Sequence, residues 1–151
     1  MTNLSTKETE FLKDLKSHEQ LCIDQYTKFA SEAKCENLKL LFNSLADTER
    51  EHLKTINDIM AGNVPTVSSS ISANNQYCES GCYKNEQDKK DDQLLCNNML
   101  SMEKHVSSAY NTSIFEFKDP AIRKVLNHIQ SEEQQHGEQI YAFMECNGMY
   151  N

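Results

Sequence analysis

The feature of this sequence that most restricts its fold is an internal repeat with an offset of 84 residues. The offset aligns Glu19 with Glu103, Tyr26 with Tyr110, Glu49 with Glu133 and His52 with His136, and it also matches Glu32 with Glu116 and Lys34 with Lys118. In a chain of this composition, a Glu-x-x-His motif is expected about half a time by chance. Here it occurs twice, and each copy follows a Glu 30 residues upstream that has a Tyr seven residues after it. The repeat therefore predicts one helical hairpin used twice.

Four segments of the chain show the three-and-four spacing of apolar residues that is typical of amphipathic helices. Their start and stop residues place them at about 5–34, 37–61, 89–118 and 120–146,. The chain has only four Gly and two Pro, which are too few turn residues for a β-sandwich or a barrel,. The sequence therefore predicts an all-α fold, a four-helix bundle made of two antiparallel hairpins.

The two predicted hairpins, 5–61 and 89–146, are joined by residues 62–88, which are rich in Ser, Asn and Gly and have no apolar period,. At about 3.3 Å per extended residue, such a connection can run the length of a helix of roughly 28 residues. We therefore expect a single domain over residues 1–151, with a long crossover connection on its surface.

The apolar face of each predicted helix is interrupted at mid-length by an acid or by an acid and a histidine. These residues are Glu19, Glu49, His52, Glu103, Glu133 and His136. A buried carboxylate costs several kcal/mol unless its charge is compensated, and two divalent cations balance four carboxylates. Oxygen-rich ligation with two imidazoles suits Fe or Mn and matches the ligand pattern of di-iron and di-manganese bundles. We predict a dinuclear centre with these six ligands; the alternative is a protonated Glu/His hydrogen-bond network that holds the bundle in register.

Other polar residues near this pattern have simpler interpretations. Tyr26 and Tyr110 lie two turns after Glu19 and Glu103, where their hydroxyls can hydrogen-bond a carboxylate or their rings can simply pack in the core,. Cys22 is more typical of a small core residue than of a redox group. The remaining histidines fall off the apolar faces and are expected to be solvated or at the rim: His18, His105 and His128.

Charge and cysteine usage exclude several classes of partner and site. The net charge is −8 without a long basic stretch, which disfavours nucleic acid and anionic membranes as partners,. No signal peptide and no run of roughly 18 apolar residues is present, so we expect synthesis in the cytoplasm. The six cysteines form no Cys-x-x-Cys pair and are expected to be reduced thiols,. Cys78 and Cys82 are expected to be accessible thiols in the connection.

The stretches YTKFASEAK (26–34) and TEREH (48–52) resemble the first hairpin of rubrerythrins, a branch of the ferritin-like superfamily. All six predicted ligands have matching positions, so the resemblance implies a ferritin-like bundle with a dimetal centre. Leu100 stands where rubrerythrins carry an additional Glu, and no rubredoxin-like Cys pairs follow the bundle. These departures imply that redox turnover would need an external reductant.

The second half has its own resemblance, carried by EKHVSSAYNTSIFEF (103–117), DPAIRKVLNHIQSEEQQHGEQIYAFM (119–144) and NGMYN (147–151). These stretches are similar to the coat-F family of spore coat proteins. The resemblance implies a location in or near the spore coat, with other coat proteins or further copies of the chain as partners.

Three functions are therefore considered. The first is a spore coat protein whose Fe or Mn centre reacts with peroxide or oxygen. The second is a structural coat component in which the metal only stabilises the bundle. The third, an iron-storage cage, is disfavoured because no clear fifth helix follows Cys146.

Overall fold

A computed structural model of the chain describes residues 2–67 and 82–150. It contains four helices: α1 (Thr6–Glu32), α2 (Glu36–Met60), α3 (Glu86–Ile114) and α4 (Pro120–Cys146). They confirm the predicted all-α fold. The largest differences concern α3, which begins three residues early because Asn85 caps it, accepting a hydrogen bond from the backbone N–H of Asp88 (2.8 Å),. It also ends before Lys118, since residues 115–119 form the turn into α4.

The other helix ends follow the signals in the sequence. The Ser5 hydroxyl accepts a hydrogen bond from the backbone N–H of Glu8 (3.1 Å), and the Glu8 carboxylate accepts one from the backbone N–H of Ser5 (2.7 Å). This reciprocal pair is a capping box. Asp119 caps α4 by accepting from the backbone N–H of Ala121 (2.8 Å). Gly62 follows α2 with a φ of 90°, a left-handed conformation that favours glycine,.

Consecutive helices form antiparallel hairpins, and two reciprocal contacts fasten the hairpins to each other. Glu8, in the first turn of α1, accepts a hydrogen bond from the backbone N–H of Lys118 at the α3–α4 turn (3.1 Å). Asp92, near the start of α3, accepts one from the backbone N–H of Lys34 at the α1–α2 turn (2.8 Å). The 84-residue offset maps one contact onto the other. The start of α1 therefore lies beside the end of α3, and these two helices run antiparallel.

The described ends of the connection lie at opposite ends of the bundle. The Gly62 carbonyl accepts a hydrogen bond from the backbone N–H of Thr2 (3.3 Å), just before the start of α1. Cys82 is disulfide-bonded to Cys35, just after the end of α1. This placement is what a crossover connection between two hairpins requires.

Apolar side chains fill the bundle on both sides of its middle. The cluster toward the α1–α2 turn includes Phe42, Leu45, Met99 and Phe143. The cluster toward the start of α1 includes Leu12, Leu15, Ile56, Val106 and Leu126. Fully burying one such side chain stabilises the fold by about 1.5–3 kcal/mol. The polar residues at mid-bundle are therefore held in a frame that is well packed at both ends.

The expectation that all six cysteines are reduced thiols is wrong. Cys35 and Cys82 form a disulfide, with their Cα atoms 5.7 Å apart, and Cys146 is disulfide-bonded as well. Cys22 and Cys96 are free and buried. The fold brings the α1–α2 turn next to the start of α3, so two cysteines 47 residues apart meet. Spacing along the chain alone does not show this proximity.

Two further expectations concern the surface. Cys82 is half-buried and oxidised rather than an accessible thiol, whereas Cys78 lies outside the described residues. Among the helices that the structure describes, none has the length and hydropathy needed to cross a bilayer.

Candidate metal centre

All six predicted ligands meet in the middle of the bundle. Glu19 comes from α1 and Glu103 from α3, while α2 and α4 each supply a Glu-x-x-His pair. None of the six is more than 4% exposed. A Glu and a His three residues apart lie on the same face of a helix. The four helices therefore present six buried polar side chains to one another.

The first group of ligands surrounds His52. Its Nδ1 atom lies 3.1 Å from Glu49 Oε2, 3.0 Å from Glu133 Oε1 and 3.7 Å from Glu19 Oε2. One ligand atom from each of these four residues lies within 4.8 Å of the others. This group offers one nitrogen and three carboxylates to a single cation.

The second group surrounds His136 in the same way. Its Nδ1 atom lies 2.9 Å from Glu49 Oε1, 3.3 Å from Glu103 Oε1 and 3.6 Å from Glu133 Oε2. The ligand atoms of these four residues also lie within 4.8 Å of one another. The imidazole rings of His52 and His136 are stacked, with centroids 5.9 Å apart. The two groups are therefore immediate neighbours.

Glu49 and Glu133 belong to both groups. Each of these carboxylates places one oxygen near His52 and the other near His136. A carboxylate that offers one oxygen to each of two neighbouring sites can bridge two metal ions. The two groups thus share two carboxylates, and each group has one carboxylate and one imidazole of its own.

Tyr26 and Tyr110 reach across the bundle to the carboxylates of the opposite hairpin. The Tyr26 hydroxyl donates a hydrogen bond to Glu103, and the Tyr110 hydroxyl donates one to Glu19. Both tyrosines are fully buried. Each hydroxyl holds one oxygen, Oε1, of its partner and leaves the second oxygen available.

Burial controls the protonation of the carboxylates. Desolvation raises the pKa of Glu49 to about 7, although hydrogen bonds from the two histidines oppose it,. Desolvation and repulsion from Glu133 raise the pKa of Glu103 to about 8. Desolvation acts on Glu133 in the same direction, but its interactions with Glu103 and the two histidines bring the pKa of Glu133 below its usual range.

The two histidines bind protons more tightly than usual. Burial on its own lowers the pKa of His52, but the neighbouring carboxylates, Glu132 and Glu133 among them, together raise it well above the ordinary value. Burial also lowers the pKa of His136, but Glu103 and its other carboxylate neighbours outweigh that effect, and the net pKa is well above the ordinary value. Metal ligation requires neutral imidazoles and ionised carboxylates, so loading this site with metal must release protons.

The donor set fits the predicted ions. Within the described residues, four buried side-chain nitrogen or oxygen atoms have no hydrogen-bond partner: Glu19 Oε2, His52 Nε2, Glu103 Oε2 and Glu133 Oε2. An unsatisfied buried group costs about 1–3 kcal/mol. Three of these atoms are carboxylate oxygens of the predicted ligands, and a cation would satisfy them. Four carboxylates with two imidazoles are suitable for Fe or Mn.

Glu132 is a residue of this site that the sequence prediction missed. Its Oε1 atom lies 2.8 Å from His128 Nε2 and 3.5 Å from His52 Nε2. Glu132 therefore contacts the ring nitrogen of His52 that faces away from the first group, and it is placed to orient that imidazole. It sits one position before Glu133 and off the apolar face of α4, so helical periodicity gave no signal for it.

The remaining residues singled out in the sequence lie outside the two groups. Cys22 is fully buried in the apolar cluster near the start of α1, and burial raises the pKa of its thiol far above the usual value, as suits a core residue,. His18 is half-buried and contacts the ring of the exposed His105, with centroids 5.1 Å apart. Both histidines are at the rim, as expected.

Comparison with known proteins bears on the second half of the chain. No curated protein and no solved structure matches the chain. Residues 91–151 match the family model of the Coat F domain. This match confirms the resemblance seen in the sequence of the second half. The second hairpin, which carries Glu103, Glu133 and His136, is therefore similar to the Coat F domain.

Proposed function

We propose that the chain is a spore coat protein whose bundle holds a dinuclear Fe or Mn centre that reacts with peroxide or oxygen. The observation that carries the proposal is the sharing of Glu49 and Glu133 between two ligand groups, one around His52 and the other around His136. The match of residues 91–151 to the Coat F domain supports the location in the spore coat.

The ligands divide evenly between two ions. Glu19 and His52 would serve one site, Glu103 and His136 the other, and Glu49 and Glu133 would bridge them. The four negative charges of the carboxylates would balance two divalent cations, with both imidazoles neutral, and this would compensate the cost of burying the carboxylates. Two such ions would supply redox and Lewis-acid chemistry toward peroxide or oxygen.

The protein's own groups prepare this site. The hydroxyls of Tyr26 and Tyr110 fix the orientation of Glu103 and Glu19 and leave one buried oxygen of each carboxylate without a hydrogen-bond partner,. The apolar clusters on either side exclude bulk water from both ends of the bundle. Because the pKa of Glu49 is raised to about 7, and that of Glu103 to about 8, metal loading displaces protons from the carboxylates as well as from the histidines,.

A second candidate function is purely structural, with the metal acting only to stabilise a coat component. The observation that favours it is that the ligands come from all four helices. Ions at this place would therefore cross-link the whole bundle.

Metal analysis tests the centre itself. The protein is purified from its native host without chelators, and we expect about two Fe or Mn ions per chain, as in other bundles with this ligand pattern. Glu49→Ala and Glu133→Ala should each lower the metal content well below that value. Glu51→Ala and Glu138→Ala are matched controls, because these residues are exposed on the same two helices, and they should keep the full content. Unchanged metal in both ligand variants would contradict the proposal.

Peroxide turnover separates the two candidate functions. The metal-loaded protein is mixed with peroxide, with and without an external reductant, and peroxide loss and oxygen release are followed. Consumption by the wild type but not by Glu103→Ala supports a reactive centre. If the loaded wild type consumes none, while removal of the metal lowers its melting temperature, the metal is structural.

A further inference from the structure

A cavity of about 360 Å³ lies between α3 and α4 and reaches the carboxylates of Glu103 and Glu133. Its lining includes Glu103 and Glu133, which are at its buried end, and Ser107 and Gly137, one on each of the two helices. We propose that this cavity admits a small ligand that accepts hydrogen bonds, neutral or singly anionic, to the centre, and that Gly137 keeps it open. The inference rests on the proposed function of the centre.

The 84-residue repeat shows why the cavity occurs on this side. The counterparts of Ser107 and Gly137 in the first hairpin are Ile23 and Leu53. Ile23 is buried and Leu53 is half-buried, so two large side chains occupy the equivalent space between α1 and α2. The first two helices also pack more closely together than α3 and α4 do. The second hairpin is therefore the open half of an otherwise symmetric site.

The mirror face of the first hairpin gives a direct comparison. A groove is present there too, but its lining consists only of α1 residues: Lys16, Ser17, Gln20, Leu21 and Asp24. None of these is a carboxylate of the centre. Large side chains at the α1–α2 interface thus separate the surface from the ligands, whereas small ones at the α3–α4 interface do not.

Gly137 is not required by close packing. Apart from its chain neighbours and the backbone of its own helix, no atom of the described residues would lie within 4 Å of a Cβ atom added there. Glycine in the interior of a helix is less favourable than alanine. Glycine at this position therefore leaves open space above Glu133. At the equivalent position of the first hairpin, that space is taken by the side chain of Leu53.

The chemistry of the cavity indicates the class of ligand. Apart from Glu103 and Glu133, no residue in the lining is acidic, and Lys104 and Gln134 add hydrogen-bond donors. A path for hydrated cations would be expected to carry acidic groups at its rim. Lysine, amide and hydroxyl groups instead suit a small molecule that accepts hydrogen bonds through oxygen or carries one negative charge.

The test uses azide as the probe and cobalt as the metal, since bound Co²⁺ reports its ligands through visible absorption. Gly137→Leu and Ser107→Ile each install the side chain of the first hairpin in the cavity. Both variants should bind as much Co²⁺ as the wild type, but their azide affinity should fall at least about tenfold, with Gly137→Ala intermediate. Glu138→Leu places the same leucine one residue further along α4, at an exposed position, and should bind azide like the wild type.

The outcomes distinguish this inference from the proposed function. A wild type that binds no Co²⁺ overturns the centre, and the role of the cavity with it. Full Co²⁺ content together with unchanged azide affinity in both filled variants shows that ligands do not enter between α3 and α4, while the centre itself stands. Equal losses of azide affinity in Gly137→Leu and Glu138→Leu also overturn the role of the cavity.

Discussion

Tyr26 on α1 donates its hydroxyl hydrogen bond to Glu103 on α3 rather than to Glu19 on its own helix. The repeat reproduces this bond between Tyr110 and Glu19. Each hairpin therefore orients a carboxylate of the other, and each of the two ligand groups contains residues of both hairpins.

Removing either hydroxyl should destabilise the metal-free protein. Tyr26→Phe and Tyr110→Phe each remove the hydrogen-bond donor of a buried carboxylate oxygen. This costs about 1–3 kcal/mol in the free energy of unfolding. Because the two bonds are related by the repeat, the two losses should be similar. Urea unfolding measures them, with Tyr150→Phe as the control, since Tyr150 is 52% exposed. A Tyr26→Phe variant as stable as the control would show that the bond contributes nothing.

The metal-free protein should become less stable as the pH rises from about 5 to about 9. Glu49 and Glu103 have folded pKa values of about 7 and about 8, above an unfolded value of 4.5. The folded state binds more protons, so the stability from these groups is complete below about pH 4.5 and is lost as the pH rises through 7 and 8. His52 and His136, whose pKa values are also raised, act in the same direction.

Glu133 does not reverse this trend. Its pKa is lowered, so its contribution is lost only as the pH falls below its unfolded value of 4.5, outside the range of the measurement,. Thermal unfolding in a chelator at several pH values measures the effect. Metal affinity should change in the opposite direction and rise with pH, because ions replace protons. If the melting temperature of the metal-free protein rises toward pH 9, the assignment of raised pKa values is wrong.

The disulfide between Cys35 and Cys82 should contribute substantially to stability. It closes a loop of 47 residues, for which the loop-entropy model gives about 4 kcal/mol. The double variant Cys35→Ser/Cys82→Ser should unfold at lower urea than the oxidised wild type. Under strong reductant the two proteins should converge. Equal midpoints without reductant would mean that the α1–α2 turn is held in place without the disulfide.

Asp92 should be the more important of the two acids that fasten the hairpins. Its carboxylate accepts hydrogen bonds from the backbone N–H groups of Lys34 (2.8 Å) and Cys35 (2.9 Å) and from the Tyr83 hydroxyl (2.7 Å). Asp92→Ala removes all three bonds at a fully buried position. We expect a loss of about 3 kcal/mol or more in the free energy of unfolding.

Two variants calibrate the Asp92 result. Glu8→Ala removes the capping box and the bond to Lys118, which should cost about 1–2 kcal/mol,. Asp91→Ala changes the neighbouring acid, whose hydrogen bond to Gln87 is exposed, and should stay within about 0.5 kcal/mol of the wild type. If Asp92→Ala is no worse than Asp91→Ala, the contact between the hairpins is not a source of stability.

Gly137→Ala should stabilise the protein while it narrows the cavity. The added methyl group meets no steric obstacle, and alanine is favoured over glycine inside a helix by about 1 kcal/mol. The melting temperature of the metal-free protein should therefore rise. A fall would show that the backbone of α4 at this point needs glycine for another reason.

The spacing of apolar residues predicted the four helices, and the repeat singled out the six residues that meet at mid-bundle. The repeat was informative because an acid on the apolar face of a helix is unusual, and two copies of the same pattern at the same spacing are not expected by chance. The crossing of the tyrosines was not predicted, since periodicity shows which face a residue occupies but not which neighbour it meets. Glu132 was missed because it lies off that face, on a part of α4 where acids are common.

The same repeat contains the residues that fasten the two hairpins, so it could have been used to predict them. The offset aligns Glu8 with Asp92, but neither acid was predicted to join the two hairpins. The disulfide was a different kind of omission. Its two cysteines meet only because the two hairpins pack against each other. No local sequence motif, such as a Cys-x-x-Cys pair, indicates that contact.

The reciprocal contacts, Glu8 with Lys118 and Asp92 with Lys34, have the form of a twofold interface in which each partner gives and receives the same bond,. The tyrosine–glutamate bonds and the two ligand groups share that symmetry. In evolutionary terms the chain is built like a homodimer of one helical hairpin fused into a single polypeptide. Fusion allows the halves to diverge, so one of them could gain a glycine and an open side while the other stayed closed.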